Sequence, residues 1–196
     1  LHKAIRRQRQ MCIRDRGQEF QFTQCHRTNA QNADLKIWEE PKSDGLYVIG
    51  ADPAYGSSDN ADRFAADVFR CYADRLVQVA EYCTADITTY QFAWILAHLG
   101  GAYRNVWLNL EITGPGGAVV TEMMHLQRSA SQIPVGEHRT LQDVLPAIRH
   151  YFWMRPDAAY SGPSKTMHTS MNEQVKRAVL NSYKDSFEVG RMEVKS

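Results

Sequence analysis

The stretch Leu46-Tyr47-Val48-Ile49-Gly50-Ala51-Asp52-Pro53 decides the fold. It begins with an apolar run bounded by turn residues, which is typical of a strand buried on both faces. Asp52 follows the run directly, so the strand ends in a carboxylate. Pro53 and the nearby Gly56 then open a loop of small residues. Open strand ends of this kind are where α/β proteins place their chemistry.

The residues after this strand predict a hairpin and then a helix. Residues 64–72 and 76–82 are rich in Phe, Val and Tyr, and the short link between them predicts antiparallel pairing. Thr88 and Gln91 have the spacing of a capping box at a helix start. The apolar residues that follow recur with helical spacing: Phe92, Ile95, Leu96, Leu99 and Tyr103.

A second strand ending in a carboxylate follows at residues 106–111. Alternate apolar residues face one side of it, and Glu111 faces the other with Trp107 and Asn109. Residues 114–117 then turn the chain into a helix whose apolar positions are Val119, Val120, Met123 and Leu126. The order of elements predicts an α/β fold with a mixed sheet, in which an antiparallel hairpin precedes the crossovers.

The last third of the chain is less regular. Residues 148–154 predict a strand between two loops, at 129–146 and 155–169. Ser170 and Glu173 have capping-box spacing before a helix. Its expected inward residues are Val175, Ala178, Val179 and Ser182. Met192 and Val194 alternate as the start of a last strand.

The first 45 residues are interpreted as a poorly ordered arm and linker, and the domain is expected to span residues 46–196. Residues 1–16 are basic with no apolar period, so they are either a disordered arm or sequence foreign to the domain. A basic arm that contacts DNA is the functional alternative. Residues 17–45 are polar and irregular.

The composition excludes several classes of protein. The 196 residues are 43% hydrophobic and 23% charged, which fits one globular domain. A formal net charge of +1 excludes a broadly basic nucleic-acid-coating protein and an acidic tail protein. The longest nearly continuous apolar run, residues 92–99, is far shorter than the roughly 20 residues of a membrane span. No apolar segment follows the basic start, so no secretory signal is expected.

The cysteines and histidines do not have the spacing of a zinc site. Four cysteines and seven histidines are scattered along the chain. In the predicted hairpin Cys71 faces about Leu76 and not Cys83, so we expect no disulfide between the two cysteines and a reducing compartment.

Asp52 and Glu111 are the candidate metal ligands. Two carboxylates brought together repel each other unless a cation lies between them, and a hard divalent ion such as Mg²⁺ prefers oxygen ligands. Two such ions can activate a water and stabilise the leaving oxygen of a phosphodiester. The alternative is structural, because an Asp before Pro is a common turn former and an acid at a strand end is often a solvated rim residue.

Two segments resemble the nuclease domain of phage terminase large subunits. The first is residues 46–56 followed by residues 62–66, and the second is residues 108–116, where a strand delivers a glutamate and a Gly-rich turn opens a helix. Residues 151–153 and 166–176 resemble later parts of that domain. The resemblance covers about residues 46–196.

This resemblance implies a ribonuclease H-like fold and metal-dependent DNA cutting. Asp52 matches the family's first-strand metal ligand, Glu111 its fourth-strand acid, and Asp62 an auxiliary ligand or merely a hairpin-entry turn residue. The implied cofactors are two Mg²⁺ or Mn²⁺ ions, and the implied substrate is double-stranded DNA. The implied partners are the portal or prohead and the small terminase subunit, with no membrane, in the host cytoplasm and transiently at the procapsid.

The sequence departs from the family pattern at two places. Thr113 stands where many relatives carry asparagine. The family's third metal acid follows the last strand, and Glu193 is a poor substitute because it lies within that strand pattern. No phosphate-binding loop of the motor ATPases is present either. We therefore expect a fragment of a longer protein that is inactive or slow as a nuclease.

Several alternatives remain open at this point. Another ribonuclease H-like nuclease, such as a junction resolvase, or a catalytically incomplete DNA-packaging or DNA-binding module would fit the same pattern. The turn at residues 114–117 either holds a phosphate or lets the chain leave the strand beside Glu111. Trp94 and Trp107 are expected in the core or at its rim. Four cations either contact DNA or lie on solvated surface: Lys165, Lys176, Arg177 and Lys184.

Overall fold

A mixed β-sheet organises the chain. The structure, a computed structural model, describes residues 8–13, 20–24, 33–55, 62–129 and 173–195, the first two ranges as backbone alone. Within these residues the sheet has eight strands. The predicted strand at 148–154, the loops on either side of it, and Ser170 lie outside the described residues.

The outer part of the sheet is formed by strands β1 (Gln8–Ile13), β2 (Phe20–Gln24) and β3 (Leu35–Ile37). β1 and β2 are antiparallel, and β3 joins β1 to the rest of the sheet. The sequence predicted an arm and an irregular linker here, and these strands are the main difference from that interpretation. Leu35 is buried in the core, so part of the predicted linker belongs to the packed structure.

The rest of the main sheet order has four strands, β6-β5-β4-β7, in which β7 is the edge among the described strands. They are β4 (Tyr47–Asp52), β5 (Phe64–Cys71), β6 (Leu76–Thr84) and β7 (Val106–Leu110). β4, β5 and β6 are antiparallel neighbours, whereas β7 runs parallel to β4. The predicted hairpin and mixed α/β sheet are confirmed.

The predicted facing of Cys71 and Leu76 is confirmed by the register of the hairpin. Cys71 pairs with Leu76, and Cys83 pairs with Ala65 near the other end of the two strands. Both thiols are free.

Helix α1 (Thr89–Tyr103) begins at the predicted capping box. Gln91 N donates to Thr88 Oγ1 (3.2 Å), and Thr88 N donates to Gln91 Oε1 (2.8 Å). The apolar positions that the sequence singled out are buried: Phe92, Ile95, Leu96, Leu99 and Tyr103. Trp94 is buried with them, whereas Trp107 on β7 is exposed at the rim, so each tryptophan takes one of the two expected positions.

Helix α2 (Gly116–Ser129) packs against α1 and completes the described core. Val119, Met123 and Leu126 are buried, and Val120 is half-buried against them. The helix therefore has the apolar face that its sequence predicts. Because α2 begins six residues after β7 ends, its first turn lies close to that end of the sheet.

Helix α3 (Glu173–Glu188) and strand β8 (Met192–Glu193) end the described chain. The predicted inward face of α3 is wrong within the described residues: Val175 is half-buried, and Ala178, Val179 and Ser182 are exposed. The physical reason is that, of the described elements, α3 packs mainly against β8 and not against the sheet's apolar face.

Strand β8 lies on the outer edge of β6. It pairs in parallel with Leu76 and Val77, while β3 pairs with the far part of the same edge. The buried Gln78 links β6 to the chain just after β8. Gln78 Oε1 accepts from Lys195 N (2.7 Å), and Gln78 Nε2 donates to Asp67 Oδ1 (2.7 Å). The predicted last strand is confirmed at Met192.

Candidate metal site

Asp52 and Glu111 lie side by side at one end of the sheet. Ala51 and Leu110 pair across the parallel strands β4 and β7, and Glu111 N donates to Ala51 O (2.9 Å). Because the two strands run in the same direction, their carboxyl ends meet at one edge. The sequence-based expectation that the two acids lie on neighbouring strands is confirmed.

The two carboxyl groups interact directly. Partial burial raises the pKa of Asp52, although the residue stands at an exposed sheet edge. The negative charge of Glu111 and a side-chain hydrogen bond with Glu111 raise this pKa further. A hydrogen bond between two carboxyl groups requires a proton on one of them. Either a proton or a cation therefore relieves the repulsion between the two carboxylates.

Asp62 lies near this pair but is not joined to it in a tight cluster. It is exposed just before β5, and its charge makes the smallest of the contributions that raise the pKa of Asp52. Within the described ranges, no three His, Cys, Asp or Glu side chains group closely enough to hold a metal ion. The described site is therefore a pair of carboxylates with a third acid at longer range.

Two other acids that could be considered as ligands lie elsewhere in the fold. Asp34 is at the same end of the sheet but beside β6, because Cys83 N donates to Asp34 O (2.8 Å). Three strand spacings of about 4.8 Å separate it from Asp52, a distance of roughly 14 Å. Glu193 pairs with Val77, at the opposite end of β6 from Asp52. The sequence-based judgement that Glu193 is a poor substitute agrees with this placement.

The turns that follow the two acids contact each other, and no pattern considered above predicted this contact. Tyr55 is 79% exposed, and its ring lies over Gly114: a Cβ built on that glycine would be 3.4 Å from Tyr55 Cε2 and Oη. Each residue stands three positions after its acid, Asp52 or Glu111. That equal spacing was the signal in the sequence that could have paired them.

The cations expected near DNA are only partly described. Lys176, Arg177 and Lys184 are exposed on α3, and Lys184 Nζ lies 3.7 Å from Glu188 Oε1. Lys165 lies outside the described residues. The exposure fits the solvated-surface alternative as well as a role in contacting DNA.

Among the described helices, none is long and apolar enough to cross a membrane.

The fold is similar to that of solved viral nuclease domains. No family model matches the sequence, and no curated protein matches it. The large terminase nuclease from thermophilic phage G20c with bound magnesium has a TM-score of 0.53 and 15% identity over 83% of this chain, which spans 64% of that chain. The same nuclease with bound zinc has a TM-score of 0.51 and 16% identity over 83% of this chain and 70% of its own. The chain thus has a ribonuclease H-like α/β fold, similar to that of the large terminase nuclease from phage G20c.

Proposed function

We propose that this chain belongs to the nuclease domain of a viral genome-packaging terminase, a domain that cuts duplex DNA by two-metal phosphodiester hydrolysis, and that the chain by itself is inactive or slow as a nuclease. The observation that carries the proposal is the placement of Asp52 and Glu111 at the adjacent ends of the parallel strands β4 and β7, where Glu111 N donates to Ala51 O (2.9 Å). The fold likeness supports it, because the solved phage G20c nuclease holds magnesium or zinc in the structures described above.

The carboxylate pair has the chemistry of a site for Mg²⁺ or Mn²⁺. Both ligands are hard oxygen donors, and their mutual repulsion is what a divalent cation offsets. A bound ion would supply Lewis-acid activation of water and stabilisation of the leaving phosphodiester oxygen. Asp52 and Glu111 hold that ion in this proposal, and Asp62 acts on it through its charge from farther away. A second ion needs more anionic ligands than the described residues gather.

In this proposal the two carboxylates hold the ion and do not touch the DNA. Both groups must be ionised to ligate the ion, so metal binding competes with protonation of Asp52, whose pKa is raised. Water is the nucleophile, so no side chain forms a covalent bond to the phosphate. The partners that go with this function are double-stranded DNA, the portal or prohead and the small terminase subunit, in the host cytoplasm and transiently at the procapsid.

The test is Mn²⁺ binding followed by DNA cleavage. We expect calorimetry to detect Mn²⁺ binding to the protein, and Asp52→Asn or Glu111→Gln to remove it. Asp44→Asn is the matched control, because Asp44 is an exposed acid at the other end of β4, with 81% of its side chain exposed. If cleavage of linear duplex is seen, it should need Mn²⁺ or Mg²⁺ and disappear in Asp52→Asn. Cleavage unchanged in Asp52→Asn would contradict the proposed site.

The second candidate function is a non-catalytic packaging or DNA-binding module. The observation in its favour is that the described residues bring together two carboxylates and not three. Wild-type protein that binds duplex DNA but shows no Mn²⁺ binding would support this candidate. Preference for branched over linear DNA would instead point to a junction-resolving nuclease of the same fold.

A further inference from the structure

The turn between β7 and α2 brings the chain back onto the backbone of Glu111. A Cβ built on Gly116 would lie 2.0 Å from the Glu111 carbonyl O and 2.9 Å from its carbonyl C. Both atoms belong to the backbone, so neither can rotate away as a flexible side chain would. Gly116 does not have a positive φ, which means that space alone, and not conformation, demands glycine there.

The Glu111 backbone is therefore held from two sides. On one side its N–H donates to Ala51 O of β4 (2.9 Å). On the other side the Gly116 backbone rests against its carbonyl group. These contacts fix the backbone of Glu111 at the end of β7, beside the end of β4 that carries Asp52. They set where the Glu111 side chain starts, and therefore how far its carboxyl group must reach to share an ion with Asp52.

Gly114, in the same turn, also requires glycine, but because of its backbone conformation. Its φ is +67°, in the left-handed region that residues with a side chain avoid. The ring of Tyr55, from the turn after Asp52, packs over it. The turn is thus fixed by one glycine through conformation and by another through space.

We propose that Gly116 and Gly114 are positioning residues that hold Glu111 against β4 so that its carboxylate can share a cation with Asp52. The inference rests on the proposed function in one respect, which is that the pair binds a divalent metal. It also gives a reason for glycine in this turn that needs no phosphate, because a Cβ on Gly116 would overlap the Glu111 carbonyl group.

The matched pair Gly116→Ala and Gly117→Ala tests this inference in the whole protein. Gly117 is the next residue of α2, and a Cβ built on it meets nothing within 4 Å. Both variants replace glycine by alanine in the first turn of α2, so the two changes are chemically the same. We expect Gly117→Ala to keep the wild-type Mn²⁺ affinity and to melt at the same or a higher temperature. We expect Gly116→Ala to lose Mn²⁺ affinity by about tenfold or more, as changes that disturb the support of a ligand do.

Mn²⁺ affinity of folded protein is the readout that separates positioning from mere stability. It is measured by calorimetry at a temperature at which melting curves show every variant to be folded. A purely structural glycine would lower the melting temperature and leave the affinity of the folded protein unchanged. Folded Gly116→Ala with wild-type Mn²⁺ affinity would therefore overturn the inference.

Gly114→Ala covers the case in which Gly116→Ala does not fold. It strains the same turn without overlapping backbone atoms, and we expect a smaller loss of Mn²⁺ affinity. Wild-type affinity in folded Gly114→Ala would then overturn the inference, as would failure of both variants to fold while Gly117→Ala folds. Asp52→Asn distinguishes failure of the proposed metal site from failure of the positioning role. If Asp52→Asn keeps Mn²⁺ binding, the proposed function is wrong. If Asp52→Asn loses Mn²⁺ binding and the glycine variants keep it, only the positioning role is wrong.

Discussion

The two ends of strand β4 differ in what surrounds them. At its start, Tyr47 is fully buried, packs edge-on against the ring of Tyr103 with centroids 4.9 Å apart, and accepts a hydrogen bond from Lys42 N (3.0 Å). At its end, Asp52 is exposed and faces a second acid, Glu111. One strand thus has a buried, hydrogen-bonded residue at its start and an exposed acid that is repelled by a second acid at its end.

This difference shows how the sheet separates stability from chemistry. Burial of aromatic rings stabilises the fold, whereas two carboxylates held together destabilise it until a proton or a cation arrives. Both ends of β4 pair with β7, through Tyr47 with Val106 and through Ala51 with Leu110. The well-packed start of the pair can therefore support the strained arrangement at its end.

The largest expected effect is at the carboxylate end. Asp52→Ala and Glu111→Ala should each lower Mn²⁺ affinity by at least about a hundredfold, because loss of a ligand costs more than loss of a group that supports it. The double variant should lose less binding free energy than the sum of the two single losses, since both acids hold the same ion and neither binds it well alone. Calorimetric titrations of the three proteins check this. Fully additive losses would show that the two acids contribute independently of each other.

Tyr47→Ala should have the largest effect on stability. Removing a fully buried ring leaves a cavity in the core and should cost about 3–5 kcal/mol of unfolding free energy. Urea unfolding followed by circular dichroism measures it. At a temperature where the variant is folded, its Mn²⁺ affinity should equal that of the wild type. A joint loss of both would mean that the two ends of β4 are not independent.

Gly45→Ala should produce an intermediate loss of stability. A Cβ at Gly45 would lie 2.2 Å from Tyr47 Oη and 2.3 Å from two carbons of the ring, so the ring must shift within a packed site. Overpacking of this kind costs about 1–3 kcal/mol. Gly50→Ala is the control in β4 itself, because nothing lies within 4 Å of its added Cβ. Equal melting temperatures for the two variants would contradict the expected crowding.

The smallest effect is the pH-dependent gain expected from Asp52→Asn. A carboxyl group whose pKa is raised on folding destabilises the folded state when it ionises, so the cost is absent below its ordinary value of 3.8 and complete above the raised pKa. Removing the charge should therefore raise the melting temperature at pH 7, and the gain should shrink as the pH falls toward 3.8. Melting curves over this range test the sign. A gain that grows on acidification would show that the pKa of Asp52 is lowered.

The sequence predicted the elements that carry their own signal. Strand β4 and the hairpin are dense in apolar and aromatic residues, and Thr88 with Gln91 forms the capping box that their spacing indicates. The position of Asp52 beside Glu111 was predicted only through the resemblance, since sequence spacing does not specify which strands pair. The roles of these residues in metal binding stay predictions.

The elements that the sequence did not predict depend on contacts with other parts of the chain and not on a local sequence pattern. Strand β3 is three residues long and exists because it pairs with β6, where Lys36 Nζ lies 3.0 Å from Glu81 Oε2. The sequence of α3 has helical periodicity, yet periodicity alone does not say what its apolar side faces. The close approach of Gly116 to Glu111 was likewise invisible, because it depends on the path of the whole turn.

The shared outer edge of β6 has a consequence for association. Strand β3 pairs with residues 80–82 of this edge, strand β8 pairs with Leu76 and Val77, and the side chain of Gln78 between them accepts from Lys195 N. Two short strands from opposite ends of the described chain thus cover backbone groups that an open strand edge would offer to another chain. Loss of either strand should therefore expose part of β6 to intermolecular pairing.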